Sequence, residues 1–327
     1  MKRAILISMM VLAAAAGAWG QTLAGFQSGF TTFSADMAST LSYNATVGNN
    51  WSDAYIGGFP HFGVGLAVGM TAVPAASMQT FFDAMQVTMP DSLKTFGLPV
   101  PAAALSAKLG GLILPFDVGL KAMVLPSGVA SALSASGITA DYSLIGGNIR
   151  FAVLKENILL PDVSIGAGYN RLKGSVAMNL PLDSPTYTYP GHTIEATTPA
   201  LSLDWTTDSF DFTLQVSKSF LFLRPYAGLG YSLGKSSVTG GVKSSLLYDG
   251  GAVTDSNLAA INADLASAGL PPVSTTGIIF NAESTSPVLR VYGGLSFEIL
   301  VIKLDTTVTY VPATKSLGAS AMVRFQL

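Results

Sequence analysis

The sequence has no cysteine, only two histidines and few charges: Asp, Glu, Lys and Arg together make up 11% of its 327 residues. The first absence excludes disulfides and thiolate metal sites. The histidines, His61 and His192, are isolated, and neither stands in the pattern that a Ser–His–acid hydrolase or a histidine-bound metal requires. The expectation is a non-enzymatic chain with no catalytic residue, no metal and no cofactor. A formal net charge of −2 without basic clusters gives no footprint for nucleic acid. A long apolar run is missing too. Mean hydropathy is positive, yet beyond residue 20 no uninterrupted apolar stretch approaches the roughly 20 residues of a membrane-crossing helix.

The hydrophobicity is instead spread over short alternating segments. In His61–Met70, Phe62, Val64, Leu66, Val68 and Met70 share one register, while Gly63, Gly65, Ala67 and Gly69 fill the other. Similar alternation recurs from Phe116 to Val124, Leu144 to Val153, Leu289 to Glu298, Ile302 to Tyr310 and Leu317 to Leu327. One face is steadily large and apolar; the other is small, polar or charged. That inside-out pattern predicts an all-β fold, a transmembrane antiparallel β-barrel with lipid outside and a polar lumen. A secreted β-sandwich also alternates, but its solvent face would carry more charge than this chain has. The motif GVGLAVG invites a nucleotide-binding reading, but no helix follows it and its glycines alternate with outward residues.

The first residues predict export. Lys2 and Arg3, the apolar stretch Ala4 to Ala16, and Ala18-Trp19-Gly20 form a secretory signal over residues 1–20, cleaved near Gly20, with no lipobox cysteine. Residues 21–58 are expected to form an N-terminal helical plug on the periplasmic side, because Phe26, Phe30, Phe33, Met37 and Leu41 lie on one face of an amphipathic helix. The barrel is expected over 59–327.

Connection lengths support the barrel independently. Strands are predicted near 59–73, 102–113, 115–125, 139–154, 161–180, 197–218, 221–242, 277–298, 299–312 and 315–327. Short links at 114–115, 155–160, 219–220 and 298–299 alternate with longer ones at 74–101, 126–138, 181–196 and 243–276, as periplasmic turns alternate with external loops. Ten strands result, with twelve as the alternative: in 197–218 the apolar register passes from Leu201, Leu203 and Trp205 to Phe210, Phe212 and Leu214, which suggests a bulge or an extra turn. Tyr169, Tyr226, Tyr231 and Tyr310 are expected in interfacial girdles.

In this register seven charges point inward near the short turns: Asp117, Lys121, Arg150, Glu298, Lys303, Asp305 and Arg324. They form a candidate gate or a salt-bridged floor. Phe81, Phe82, Met85 and Met89 form an apolar cluster in a long loop, read as a cap on the rim or as a candidate hydrophobic access surface. Leu258, Ile261 and Leu265 suggest a short helix within Asp255–Ala268.

The end of the chain, Gly318 followed by Met322, Val323, Phe325 and Leu327, is similar to the sorting signal that outer-membrane barrels present to their assembly machinery. More broadly, Asn50-Trp51-Ser52-Asp53-Ala54, Leu114-Pro115-Phe116, Gly168-Tyr169-Asn170-Arg171-Leu172, Val216-Ser217-Lys218 and Tyr226-Ala227-Gly228-Leu229-Gly230-Tyr231 resemble an uncharacterised family of bacterial outer-membrane proteins, catalogued as a domain of unknown function. In outline it is loosely similar to FadL-type transporters of hydrophobic compounds. The resemblance implies passive uptake through a gated barrel and transfers no site residue.

Two functions are therefore expected. The first is a porin-like uptake channel for small hydrophobic or amphiphilic molecules, partnered by outer-membrane lipids, the barrel assembly machinery and a small hydrophobic ligand. The alternative is a non-transporting surface barrel whose loops 74–101 and 243–276 serve adhesion or envelope integrity. A sealed lumen favours the second, and a continuous path the first.

Overall fold

The computed structural model describes residues 23–54, 61–84, 88–89, 91–111, 115–179, 186–189, 191–269, 272–285 and 287–327; the leader read in residues 1–20 lies outside them. Helix α1 (Leu23–Asn44) is followed by strands β1 (His61–Val73), β2 (Leu98–Gly110), β3 (Phe116–Val124), β4 (Ile138–Leu154), β5 (Asp162–Asn179), β6 (Thr186–Tyr189), β7 (His192–Ser217), β8 (Leu223–Tyr248), β9 (Gly251–Ala252), β10 (Gly277–Ser284), β11 (Val288–Ile299), β12 (Ile302–Val311) and β13 (Ser316–Gln326). Ten of these close into an antiparallel ring in the order β1-β2-β3-β4-β5-β7-β8-β11-β12-β13, sealed where β13 pairs with β1. The ten-strand barrel expected from the sequence is the one formed. Closure matters physically, because lipid cannot solvate the free edge of an open sheet. No described helix is long and apolar enough to cross a membrane; the strands do the crossing.

The opening alternation is now explained. Phe62, Val64, Leu66, Val68 and Met70 are exposed on the outside, while Gly63, Gly65 and Ala67 are buried within. A Cβ on Gly63 would stand 2.7 Å from the Trp51 ring inside the barrel. The small register leaves room for something that fills the lumen.

Beyond the ring, β7 and β8, 26 residues each, project past the barrel at the long-loop end, where β6, β9 and β10 extend them. A short helix (Leu258–Ser267) caps this extension with Ile261 and Leu265, packed with Ile194, Leu246, Val253 and Val273.

Three sequence expectations are corrected. A bulge does lie within 197–218, but between Thr197 and Ala200, ahead of the apolar switch; β7 pairs without interruption from Ala200 to Ser217, so the switch itself is neither a bulge nor a turn. Leu203 and Trp205 point inward because the upper lumen is apolar there, lined by the plug helix. Tyr226 is no girdle residue. It is buried and its hydroxyl bonds Thr307 in the lumen, whereas Tyr169, Tyr231 and Tyr310 are exposed. Finally, β2 begins at Leu98, ahead of the predicted 102, despite Pro99 and Pro101. Pairing of β2 with β3 starts only at Leu105, so both prolines sit where one side of the strand is a free edge and a missing N–H costs no ladder bond.

Candidate functional site: the plugged lumen

Helix α1 occupies the lumen towards the long-loop end, not the periplasmic side expected of it, because the apolar inward face it packs on lies there; only residues 45–54 reach the short turns. Phe30, Phe33, Met37 and Leu41 are buried there against Val73, Val100, Leu144, Leu172, Val238 and Phe280. The side chain of Phe26 lies outside the described residues. The expected access surface is not exposed where it can be seen. Phe82 and Met89 are buried in the same cluster, on and beside a helix (Ala75–Ala84) that packs against α1. An apolar loop segment lying over an apolar plug is covered by it. The Phe81 side chain and Met85 lie outside the described residues.

After Asn44 the helix ends, with the Thr46 hydroxyl donating to the Tyr43 carbonyl and Gly48 taking φ +80°. Residues 45–54 then descend to the short-turn end without regular structure. A buried chain of this kind must find partners for its carbonyls elsewhere, and the wall supplies them. Lys121 donates to Ala45 O at 2.6 Å and Val47 O at 2.8 Å. Lys108 donates to Asn49 O at 2.7 Å, and Gln215 to Trp51 O at 2.7 Å. Arg150 reaches Asp53 O at 2.7 Å, Ser217 Oγ accepts from the Ala54 N–H at 2.9 Å, and Ser164 Oγ donates to the Ala54 carbonyl at 2.6 Å. The Trp51 ring lies between cations, 5.4 Å from Lys108 Nζ and 4.9 Å from the Arg324 guanidinium.

Of the seven inward charges, six meet near the floor. Arg150 grips Asp117 through two bonds of 2.9 and 2.6 Å, Arg324 pairs with Asp305 at 2.7 Å, and Lys303 stands 3.3 Å from Glu298. Lys121 is the exception. It stands four residues up β3 from Asp117, about 13 Å at strand rise, and binds the plug's backbone instead.

The sequence reading missed the residue that joins the others. Asp53, on the plug, pairs with Arg324 at 2.5 Å, Lys303 at 3.0 Å and Arg224 at 3.2 Å. Arg224, also missed, bonds Glu298 at 2.7 Å, with Glu156 and Asp162 farther off at 3.6 and 3.8 Å. In the innermost ring the wall thus offers the cations Arg150, Arg224, Lys303 and Arg324 against the anions Asp117, Glu298 and Asp305, and the plug brings the fourth anion. Midway up, Arg290 and Asp211 form a second buried bidentate pair at 2.6 and 2.8 Å. Parity along β7 and β11 would have placed both inward.

A family model matches residues 41–311, which take in the lower plug and most of the barrel. The chain belongs to DUF6588, a family of unknown function. Within this DUF6588 chain the matched span includes Asp53 and every floor charge except Arg324. No curated protein matches the chain. Among solved structures, the outer membrane protease OmpT of Escherichia coli is similar over 82% of this chain and 96% of its own, at 8% identity and a TM-score of 0.41. The translocator domain of the autotransporter NalP from Neisseria meningitidis is similar over 90% and 98%, at 10% identity and a TM-score of 0.37. Ail, the attachment invasion locus protein of Yersinia pestis, gives 82%, 99%, 8% and 0.23. At such scores nothing of what those proteins do carries over.

Proposed function

We propose that the protein is an outer-membrane barrel kept shut by its own N-terminal segment, a surface or envelope-structural barrel that acts through its long-loop end and passes no solute at rest. The observation that carries this reading is the occupation of the lumen by residues 23–54, anchored from the apolar cluster around Leu41 to the ion pairs around Asp53. A barrel built for free passage would not spend buried lysines on the carbonyls of a plug.

A second reading, gated uptake of small hydrophobic or amphiphilic molecules as in FadL-type transporters, is favoured by one observation. A crevice runs beside the plug between Tyr43–Asn50 and a wall that includes Thr71, Thr307, Thr309 and Ser320. On that reading the plug shifts and the crevice widens. Planar-bilayer recording of the purified full chain tests both. Silence of the unmodified protein with and without a hydrophobic solute supports the shut barrel, and openings of the unmodified protein that appear only with such a solute support gated uptake. A steady conductance of the unmodified protein overturns both. Recovery in the outer-membrane fraction with heat-modifiable migration is expected on either reading, because a closed, fully paired sheet resists detergent until heated.

A further inference from the structure

The short turns of the barrel share a composition that the lumen does not explain. Ile158, Leu159 and Leu160 tip the β4–β5 turn; Phe220, Leu221 and Phe222 form the β7–β8 turn; Ile299 and Leu300 begin the β11–β12 turn. Leu112–Ile113–Leu114 repeats the composition between β2 and β3, outside the described residues. Nothing in the described chain covers these tips: Ile158 and Leu221 are 95% exposed and Leu300 is 94% exposed. Leu221 and Leu300 moreover take φ +54°, where glycine or asparagine is the ordinary occupant of a water-facing turn. Large apolar side chains are held there against backbone preference.

Much of the backbone beneath them is already paired. The N–H groups of Leu159 and Leu160 both donate to Asn157 Oδ1 at 2.9 Å. Lys218 Nζ caps the carbonyls of Asn157, Ile158 and Leu160, the last at 3.0 Å. Phe220 and Leu223 exchange bonds of 2.7 and 2.8 Å, Phe222 O accepts from Glu298 N–H at 2.8 Å, and Val301 O from Gln326 N–H at 2.8 Å. In water such carbonyls need no partner from the chain. In hydrocarbon each one does.

The depth of the apolar belt points the same way. On β7 the outward apolar residues run from Phe210 to Val216, and above them Asp208 pairs with Arg171 at 3.5 Å in a half-exposed position that fixes the belt's upper edge. Seven tilted strand residues cover roughly 15 Å, whereas a lipid-facing band is about 25 Å tall. The missing height on this side is supplied only if the turn is included.

We propose that the short-turn rim is embedded in lipid, with the apolar tips of the β4–β5, β7–β8 and β11–β12 turns lying among the acyl chains of the near leaflet rather than in water. Continuity with the lipid-facing belt and the extensive pairing of the turn backbone favour acyl chains over a protein partner, which would leave polar backbone to share.

The cysteine-free chain makes the test direct. Leu159→Cys, Leu221→Cys and Leu300→Cys are each nitroxide-labelled in the full chain and reconstituted at low density in phosphatidylcholine–phosphatidylglycerol vesicles. Collision with oxygen is compared with collision with a water-soluble nickel chelate. Leu120→Cys in the belt and Ser256→Cys at the loop end are the references. The three turn sites are expected to group with Leu120, with an oxygen-to-nickel ratio at least tenfold above that of Ser256. Grouping with Ser256 overturns the proposal. So does spin–spin broadening that vanishes on dilution with unlabelled protein, which would mean that a second copy covers the rim. If Leu120 itself reads as aqueous, the membrane reading falls with it. Because a label is itself apolar, Leu221→Asp combined with Leu300→Asp gives a label-free check. Folding in detergent should persist while spontaneous insertion into the vesicles drops at least tenfold, and unchanged insertion overturns the proposal.

Discussion

Asp53 and Arg324 are 271 residues apart, yet they meet at 2.5 Å with both side chains withdrawn from solvent. Arg324 belongs to β13, the strand that closes the ring against β1; it also bonds Ser52 of the plug, and a further bond, at 2.7 Å, ties it to Asp305 of β12. One guanidinium therefore joins the closing seam of the barrel to the foot of the plug. The plug's lower anchor is complete only once the last strand is in place.

Replacing Asp53 with Asn keeps the shape but leaves Arg324, Lys303 and Arg224 facing one another with one anion fewer. Breaking a buried pair costs about 3–5 kcal/mol, and the carboxylates that remain beside these cations, Asp305 on Arg324 and Glu298 on Lys303 and Arg224, bring the expectation to the lower end of that range. The temperature of the heat-induced gel shift should fall, and openings absent from the unmodified protein should appear in planar bilayers. Asp305→Asn with Arg324→Gln removes one charge of each sign from the wall. If the floor is a gate, conductance rises while heat-modifiability stays; if it is only structural, stability falls with no path opened. No change in either measurement would mean that these charges do not hold the plug.

How far the sequence carried this reading follows from periodicity. Lipid outside and a crowded lumen inside impose a period of two, so parity alone turned the seven charges inward, and link lengths alone counted ten strands. Parity also separates Tyr226 from Tyr231, five residues apart on β8, and grouping the two as girdle residues overlooked it. What periodicity cannot reach is the plug below Asn44. Asp53 lies in a segment with no repeat, and its partners come from β8, β12 and β13, brought together only by ring closure. The motif Asn50–Ala54 stood out as a resemblance, without a reason. The reason is that it is the foot of the plug. Leu203 and Trp205 misled for a related cause: an apolar plug helix makes the inward face of the upper barrel apolar as well.

Facing is testable at Leu66, which points outward from β1 between two inward small residues. Arginine there should cost roughly 2–4 kcal/mol near the midplane, and about 0–1 kcal/mol at outward positions near either interface. Urea titrations of folding into vesicles measure both. Equal losses at all depths and in both registers would contradict the barrel's placement in lipid.

Acid should loosen the loop-end hairpin. The turn Asp249–Gly250 takes two positive φ angles, 49° and 79°, the geometry of a two-residue hairpin loop. The Asp249 carboxylate accepts from His192 Nδ1 at 2.8 Å and from Thr193 N–H at 2.7 Å. These bonds, that from His192 first, hold its pKa below the ordinary carboxylate value. A depressed carboxylate contributes stability that is present above its unfolded pKa, near 3.9, and lost as pH falls through the lower folded value. The protection factor of the Thr193 amide, its exchange measured against the intrinsic rate at each pH, should therefore fall in that acid window, and in Asp249→Asn it should be low throughout. A flat profile in the unmodified protein would remove the carboxylate from this role.

The fit of Trp51 into the glycine register of β1 gives the sharpest check on the plug. An added methyl at Gly63 would stand 2.7 and 2.9 Å from Trp51 ring carbons and 3.0 Å from Phe325 O. The ring has little freedom to retreat, because its carbonyl is held by Gln215, its indole N–H bonds Ser106 at 3.3 Å, and Lys108 and Arg324 flank its faces. Gly63→Ala should therefore cost about 1–3 kcal/mol, the usual price of overpacking. Gly128 is the control: nothing lies within 4 Å of its added methyl, and it sits in a short exposed helix (Ser127–Ser134), so alanine there should be neutral or stabilise by up to about 1 kcal/mol. Trp51→Leu alone loses buried ring contacts. Combined with Gly63→Ala it should cost less than the sum of the two by about 1 kcal/mol, since the collision is gone and only the contact with Phe325 O remains. Strict additivity in this cycle would mean that Trp51 does not rest on β1, and that the foot of the plug lies elsewhere than at the floor.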